Sequence, residues 1–327
     1  MKILIIQNRE EILNPMLQLN ENHTSIIKKQ FPDAEITVVD DVKDEIDTKI
    51  DETEIIITSR LHNIDFQKTE NLKWIHVTAA GVDFLSDDLL NSDVLITNSS
   101  GVHSIPIAEH VFAFMLMFER QIHKSFRIQV EEKKWVRNFK FQNVSELHGK
   151  TIGIIGLGRI GRKIAQLAKA FDMKVLAIVR NPREEKNVDE MYDMKGLDNV
   201  LETSDYVVVC LPLTKETQHL FDYEKFSKMK SSTYFINIGR GKIVKENDLI
   251  KALKDNIIAG AGLDVFEDEP LPDDSELWNL ENVIITPHYS GWTPYYMDRV
   301  VDIFCENMKA FLEGRRMPNL VDKDRKY

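Results

Sequence analysis

Short runs of apolar, β-branched residues punctuate the first hundred positions, at Ile3–Gln7, Glu35–Val39, Ile55–Ser59, Lys73–Thr78 and Val94–Asn98. Polar stretches of helical length separate several of them, an alternation that predicts a parallel α/β sheet. The pattern then changes. Pro106 opens an apolar helix, IAEHVFAFMLMFER, where a proline suits the first turn. Gln121–Arg137 continues as a more charged helix carrying Phe126, Ile128, Val130 and Trp135, readable either as an amphipathic surface helix or as a subunit interface. A second alternation starts at Thr151 with TIGIIGLG, KVLAIV, YVVVCL, STYFINIG, IAGAGLDV and VIITPH. These runs are apolar and flanked by turn residues, as strands covered on both faces are. A helical stretch over Pro294–Leu312 closes the chain. The second alternation is long enough to form a nucleotide-binding domain inserted into the first. The last helix then returns to the amino-terminal domain, and the cleft between domains is expected to hold the chemistry.

Composition narrows the partners. With 327 residues, 43% hydrophobic and 29% charged, the chain is globular and of two-domain size. A net charge of -11 argues against a nucleic-acid partner, though local arginines can still hold a small anion. The two cysteines, Cys210 and Cys305, lie in apolar and helical runs, so no disulfide framework is expected and a reducing compartment fits. MKILIIQNRE reads as a first strand rather than a signal peptide, and no apolar run reaches the ~18 residues that span a bilayer. The expectation is a cytoplasmic protein with no membrane partner.

The strongest local motif is Gly156-Leu157-Gly158-Arg159-Ile160-Gly161, which follows the strand TIGII and opens a helix. Gly156 permits the tight turn, Gly158 lets backbone approach a pyrophosphate, and Gly161 allows close packing of helix on strand. The helix amino terminus adds free N–H groups and a positive dipole end. A site for NAD(H) normally carries Asp or Glu ~20 residues on, for the ribose 2′-hydroxyl. Here the strand ends Val179-Arg180-Asn181-Pro182-Arg183, with Arg180 where a 2′-phosphate arrives. NADP(H) is therefore favoured and NAD(H) possible. The alternative is a solvent-facing Arg180 with the ribose held through backbone.

Three further segments sit at strand ends, where open α/β sheets bind ligands. They are Ile236-Asn237-Ile238-Gly239-Arg240-Gly241, Gly262-Leu263-Asp264-Val265-Phe266-Glu267-Asp268-Glu269-Pro270, and Thr286-Pro287-His288. Arginine, histidine and glutamate respectively provide a carboxylate-binding cation, a proton donor and a group that keeps the donor protonated, which is what 2-oxo acid reduction needs. The histidines and carboxylates show no metal-ligand spacing such as H-E-x-x-H, and no metal is expected.

In this order the four motifs resemble the D-isomer-specific 2-hydroxyacid dehydrogenase family, and Ala79-Ala80-Gly81-Val82-Asp83 and Asn98-Ser99-Ser100-Gly101-Val102 also match family segments. The resemblance implies an α/β fold in which a Rossmann dinucleotide-binding domain, 101–292, is inserted into a flavodoxin-like substrate domain, 1–100 and 293–327. It makes 106–140 a dimerisation region and the protein a homodimer. It implies that Arg240 binds the substrate carboxylate, that His288 donates the proton, and that Glu269 pairs with His288 and favours the imidazolium. Glu267 competes in the same loop, but Glu269 directly precedes the proline, as in the family. Ala80, Gly81 and Val82 would present N–H groups to the substrate carboxylate. Asp264 would meet the nicotinamide end, Arg159 and Ile160 the pyrophosphate turn, and Ser290 and Gly291 the cofactor amide. Cys210, Leu211, Pro212 and Thr217 would wall the cofactor, with Ile238 and Gly239 approaching it. His76, His103 and His110 are expected to pack or line the rim.

Two features depart from the family's usual pattern: the missing acidic ribose residue, and Tyr289-Ser290-Gly291-Trp292 in place of small residues after the histidine. Arg60 could meet a second anionic group on the substrate or sit in a surface salt bridge. Trp135 could reach a partner subunit's active site. The expected function is a hydride-transferring oxidoreductase that reduces a small 2-oxo acid. A dinucleotide-sensing interaction protein of the corepressor type, without significant turnover, is the alternative.

Overall fold

The computed structural model describes residues 1–7, 17–59, 61, 64, 66, 69–82, 85–136 and 144–323. The chain divides into two compact units, Met1–His103 with Thr293–Tyr327, and Ser104–Trp292.

In the first unit, β1 (Lys2–Gln7), β2 (Glu35–Asp40), β3 (Ile55–Thr58), β4 (Trp74–Val77) and β5 (Leu95–Asn98) form a parallel sheet in the order β2-β1-β3-β4-β5. This is the flavodoxin-like winding. Helices α1 (Glu21–Gln30), α2 (Lys43–Asp47) and α3 (Asp87–Leu90) connect the strands. The period of two sorts the strand residues cleanly. Ile3, Ile5, Ile55, Ile57 and Trp74 enter one core, while Leu4, Ile6, Ile56, Ile75 and Val77 enter another. Because both faces are covered, the strands read as apolar runs rather than as alternating ones.

The second unit opens with α4 (Ser104–Glu119) and α5 (Ile122–Glu131). Its seven parallel strands are β6 (Thr151–Ile155), β7 (Lys174–Ile178), β8 (Glu190–Tyr192), β9 (Tyr206–Val209), β10 (Tyr234–Asn237), β11 (Gly260–Leu263) and β12 (Val283–Ile285). They lie in the order β12-β11-β10-β9-β6-β7-β8, with α6 (Arg159–Ala170), α7 (Leu197–Thr203), α8 (Tyr223–Ser227) and α9 (Glu246–Lys254) between them. The winding reverses between β6 and β9, the switch point of a Rossmann sheet. The closing helix, α10 (Tyr296–Leu312), belongs to the first unit, where Val300, Val301, Phe304 and Met308 join the core of Ile3 and Trp74.

Three elements differ from the pattern-based expectation. Helix α4 begins at Ser104, so Pro106 is its third residue, still among first-turn positions whose N–H has no intrahelical partner. Helix α5 stops at Glu131 and does not run to Arg137: Glu132 and Lys133 both donate their N–H to the Ile128 carbonyl, and Lys133 turns left-handed at φ 50°. Arg137 itself lies outside the described residues. Strand β8 was not anticipated, because its three part-exposed residues are too few to show a period.

Candidate active site

The glycine turn after β6 has the shape its sequence implies. Gly156 adopts φ 103°, and a Cβ there would lie 2.9 Å from the Cys210 carbonyl. At Gly161 a Cβ would come within 2.3 Å of the Gly156 carbonyl, so helix α6 seats against the turn only without a side chain. A Cβ on Gly158 meets nothing within 4 Å, and Gly158 caps α6 with no side-chain hydrogen bond. Open backbone beside an uncapped helix amino terminus, with exposed Arg159 and half-buried Ile160 in its first turn, suits a dinucleotide pyrophosphate. The wall expected from Cys210, Leu211 and Pro212 follows β9 across the switch point. Burial pushes the Cys210 thiol up to about 12, so it stays protonated. Thr217 braces this loop: its hydroxyl donates to the Pro212 carbonyl at 2.7 Å and accepts the Thr214 N–H at 2.7 Å. Ile238 is buried, and a Cβ on Gly239 would sit 2.9 Å from the Leu211 carbonyl, so these two residues pack closely on the wall.

Beyond β7 the chain offers cations. Arg180 is exposed. Glu216 across from it is held below the usual carboxylate range, first by the Thr214 hydroxyl and then by backbone, with the Arg180 charge adding to both. Arg162 and Arg183 share Glu185 at 3.1 and 3.5 Å.

Arg240, Glu269 and His288 all belong to the second unit. Arg240 follows β10, where Asn237 closes the turn: its Oδ1 accepts the Gly239 N–H at 3.1 Å and its Nδ2 donates to the Arg240 carbonyl at 3.2 Å. One guanidinium nitrogen donates to the Gly239 carbonyl at 2.8 Å. Glu269, ahead of a cis peptide to Pro270, accepts twice: from the Phe266 N–H at 3.0 Å and at 2.6 Å from His288 Nδ1. Partial burial acts to raise the Glu269 pKa, but the His288 and Phe266 hydrogen bonds and the His288 and Arg240 charges outweigh it, so the carboxyl sits below its usual range. The pair thus joins a carboxylate to His288 through its Nδ1. Glu267 turns away and pairs with His219 Nε2 at 2.6 Å, so only Glu269 of the two glutamates meets His288.

His288 has a left-handed φ of 51°, a strained position for a side chain. Buried Asp264 holds that turn by accepting the Tyr289 N–H at 3.1 Å, the Ser290 N–H at 3.1 and 3.3 Å, and the Thr286 hydroxyl at 2.6 Å. Because the Thr286 hydrogen goes to Asp264, its oxygen must accept from His110 Nε2, 3.0 Å away. Burial keeps His110 below the ordinary histidine pKa, partly offset by the Asp264 charge. The sequence leads one to expect His110 to pack or line the rim, and no local motif flags this contact between α4 and the residue after β12. Gly291 follows in the same turn, and Tyr289 and Trp292 are exposed beside it.

In the first unit, Asn98 Nδ2 donates to the Ala80 carbonyl at 2.9 Å and so shapes the turn of Ala80, Gly81 and Val82. His76 is wholly buried between Thr97 and Ser99, and the His103 ring lies 5.2 Å from that of Tyr296. Arg60 and Asp83 lie outside the described residues.

Comparison with known proteins adds independent weight. The family model described as "D-isomer specific 2-hydroxyacid dehydrogenase, NAD binding domain" matches residues 112–290. Glyoxylate reductase of Pyrococcus horikoshii is 36% identical over 285 residues, 84% of this chain and 85% of the relative. A D-isomer-specific 2-hydroxyacid dehydrogenase family protein from Aeromonas salmonicida superposes with a TM-score of 0.79 at 33% identity, covering 99% of both chains. The enzyme of that description from Xanthobacter autotrophicus, solved with NADPH and MES, gives 0.80 at 28% identity, again over 99% of both chains.

Proposed function

The chain belongs to the D-isomer-specific 2-hydroxyacid dehydrogenase family, and from that premise we propose that it reduces glyoxylate or a close 2-oxo acid homologue to the D-2-hydroxy acid, using NADPH in preference to NADH. The observation that carries this reading is the 2.6 Å hydrogen bond between Glu269 and His288, with the Arg240 charge reaching the same carboxylate. The dinucleotide supplies the hydride. Arg240 receives the substrate carboxylate and polarises the adjacent carbonyl, since a guanidinium fork matches a carboxylate. His288 Nε2 delivers the proton to the carbonyl oxygen as charge develops there, while Glu269 fixes Nδ1 as the other donor and offsets the imidazolium charge. The NADPH preference rests on exposed Arg180 and the absence of a carboxylate over residues 179–183, directly after β7, and the relative solved with NADPH supports it.

The same reading makes the protein a homodimer. Ile122, Phe126 and Val130 recur every fourth residue along α5 and are 48, 62 and 57% exposed, a stripe that a second copy of the helix would cover. A panel of glyoxylate, hydroxypyruvate, pyruvate and longer 2-oxo acids, assayed with both cofactors by loss of reduced-nicotinamide absorbance, tests the assignment. Turnover should be fastest with the smallest acids and with NADPH. Arg180→Asp should move the preference toward NADH. Equal use of the two cofactors by the wild type refutes the preference, and inertness toward every acid refutes the reductase.

A further inference from the structure

A second histidine–glutamate pair stands on the loop that carries Glu269. Glu267 bonds His219 Nε2 at 2.6 Å, and its own N–H donates to Glu246 Oε2 at 3.1 Å. Burial, with the charges of Glu267 and Asp268, raises the Glu246 pKa against the pull of that N–H. His219 stands at the far end of the Pro212–Thr217 loop and is itself tied down, its N–H donating to the Lys242 carbonyl at 2.8 Å. A Cβ on Gly241 would fall 1.7 Å from the Phe266 carbonyl and 2.5 Å from the Glu267 nitrogen, so the Arg240 segment and the acidic loop meet backbone to backbone. Three functional segments therefore converge on one cluster: the cofactor-wall loop, the arginine turn and the glutamate loop.

We propose that His219 is a positioning residue, which through Glu267 sets the loop geometry that aims Glu269 at His288. The inference rests on the proposed reductase reading, since it assigns a role within that site. Glu267 meets His219 directly, and Glu246 accepts the Glu267 N–H and feels the Asp268 charge. Lys242 contributes its carbonyl. Because Glu269 holds the His288 ring at 2.6 Å, a small displacement of the loop misaligns the proton donor without touching the glycine turn that receives the dinucleotide.

The test exploits the left-handed φ of 53° at residue 219. His219→Asn suits that backbone but removes the Nε2 donor, while in His219→Gln the amide nitrogen takes the Nε2 place and keeps the bond. His219→Asn should lose kcat roughly tenfold, short of the ~100-fold of a full 1 Å misplacement, with dinucleotide KM within about twofold of wild type. His219→Gln should restore most of it. Proton NMR supplies a readout independent of turnover. The downfield Nδ1–H signal of His288 should persist in wild type and His219→Gln, and broaden or vanish in His219→Asn. An unchanged signal and kcat in His219→Asn overturns the proposal. Equal losses in both variants, tracking a fall in Tm with the signal intact, also overturn it. A wild type inert toward all 2-oxo acids would defeat the reductase reading instead, and the NMR signal would still decide the positioning role.

Discussion

His76 should make the first unit's stability pH-dependent in a window where few carboxylates titrate. The ring is completely buried on β4, with Nδ1 2.7 Å from the Thr97 hydroxyl and Nε2 3.2 Å from that of Ser99. The hydrogen bonds dictate the tautomer. Trp74 Nε1 donates to Thr97 Oγ1 at 2.8 Å, so the Thr97 hydrogen is available for His76 Nδ1. Ser99 donates to the Val77 carbonyl at 3.1 Å and so accepts from His76 Nε2. The neutral ring satisfies every partner, and a second proton would be buried without a counter-charge. Burial accordingly lowers the pKa to about 3. A depressed histidine pKa contributes stability that is complete above the unfolded value of about 6.5 and is lost as pH falls toward the folded value. Between pH 7 and 5 that loss is about 2 kcal/mol. His76→Phe keeps a ring against Trp74 and Phe304 and abolishes the titration. Urea unfolding followed by tryptophan fluorescence reads this unit, because Trp74 is 0% exposed whereas Trp135, Trp278 and Trp292 are 93, 51 and 70% exposed. The stability gap between wild type and variant should shrink by about 2 kcal/mol from pH 7 to pH 5. A gap that stays constant to within about 0.5 kcal/mol would refute the buried neutral histidine.

Other outcomes follow from the second unit. Glu269→Gln offers one acceptor to two donors, the Phe266 N–H and His288 Nδ1, so kcat/KM should fall at least tenfold or so while dinucleotide affinity holds. A variant with normal kcat/KM would remove Glu269 from the mechanism. His288→Ala should abolish turnover and leave cofactor binding nearly intact, as checked by fluorescence titration with NADPH. Gly241→Ala puts a methyl group 1.7 Å from the Phe266 carbonyl and should destabilise the unit toward the upper end of the roughly 1–3 kcal/mol range for overpacking, visible in Tm. If the proposed homodimer forms through the exposed stripe of α5, Phe126→Asp should give a monomer in analytical ultracentrifugation where the wild type sediments as a dimer, with Tm little changed.

Where sequence and structure agree, the reason is local physics. Strands buried on both faces appear as unbroken apolar runs, and so the sheets were legible in outline. The glycine turn was legible too, because each glycine answers a steric demand that the structure repeats: the positive φ at Gly156 and the 2.3 Å approach at Gly161. What escaped was set by partners distant in sequence. The end of α5 depends on a left-handed Lys133, which nothing in its neighbours announces. Strand β8 exists because β7 offers an edge to Glu190–Tyr192. His110 stands 176 positions from Thr286, and no motif spans that gap.

The acidic loop illustrates the boundary most sharply. Glu267 and Glu269 are the same residue type two positions apart, and only the family resemblance, which puts the glutamate directly before the proline, separates them in sequence. The structure separates them by partner: Glu269 takes His288, and Glu267 takes His219. Asp264 on the same segment has a third task, because its carboxylate collects the two backbone N–H groups that follow His288 and so holds the strained turn on which the histidine stands. A residue with φ 51° persists only where its surroundings over-determine it. A run that reads as a cluster of like charges therefore does three jobs, assigned by which donor each carboxylate meets. Removing the His219 donor should shift the Glu269–His288 bond and leave the Asp264 contacts in place, so the His219 variants probe the loop without unseating the turn that carries His288.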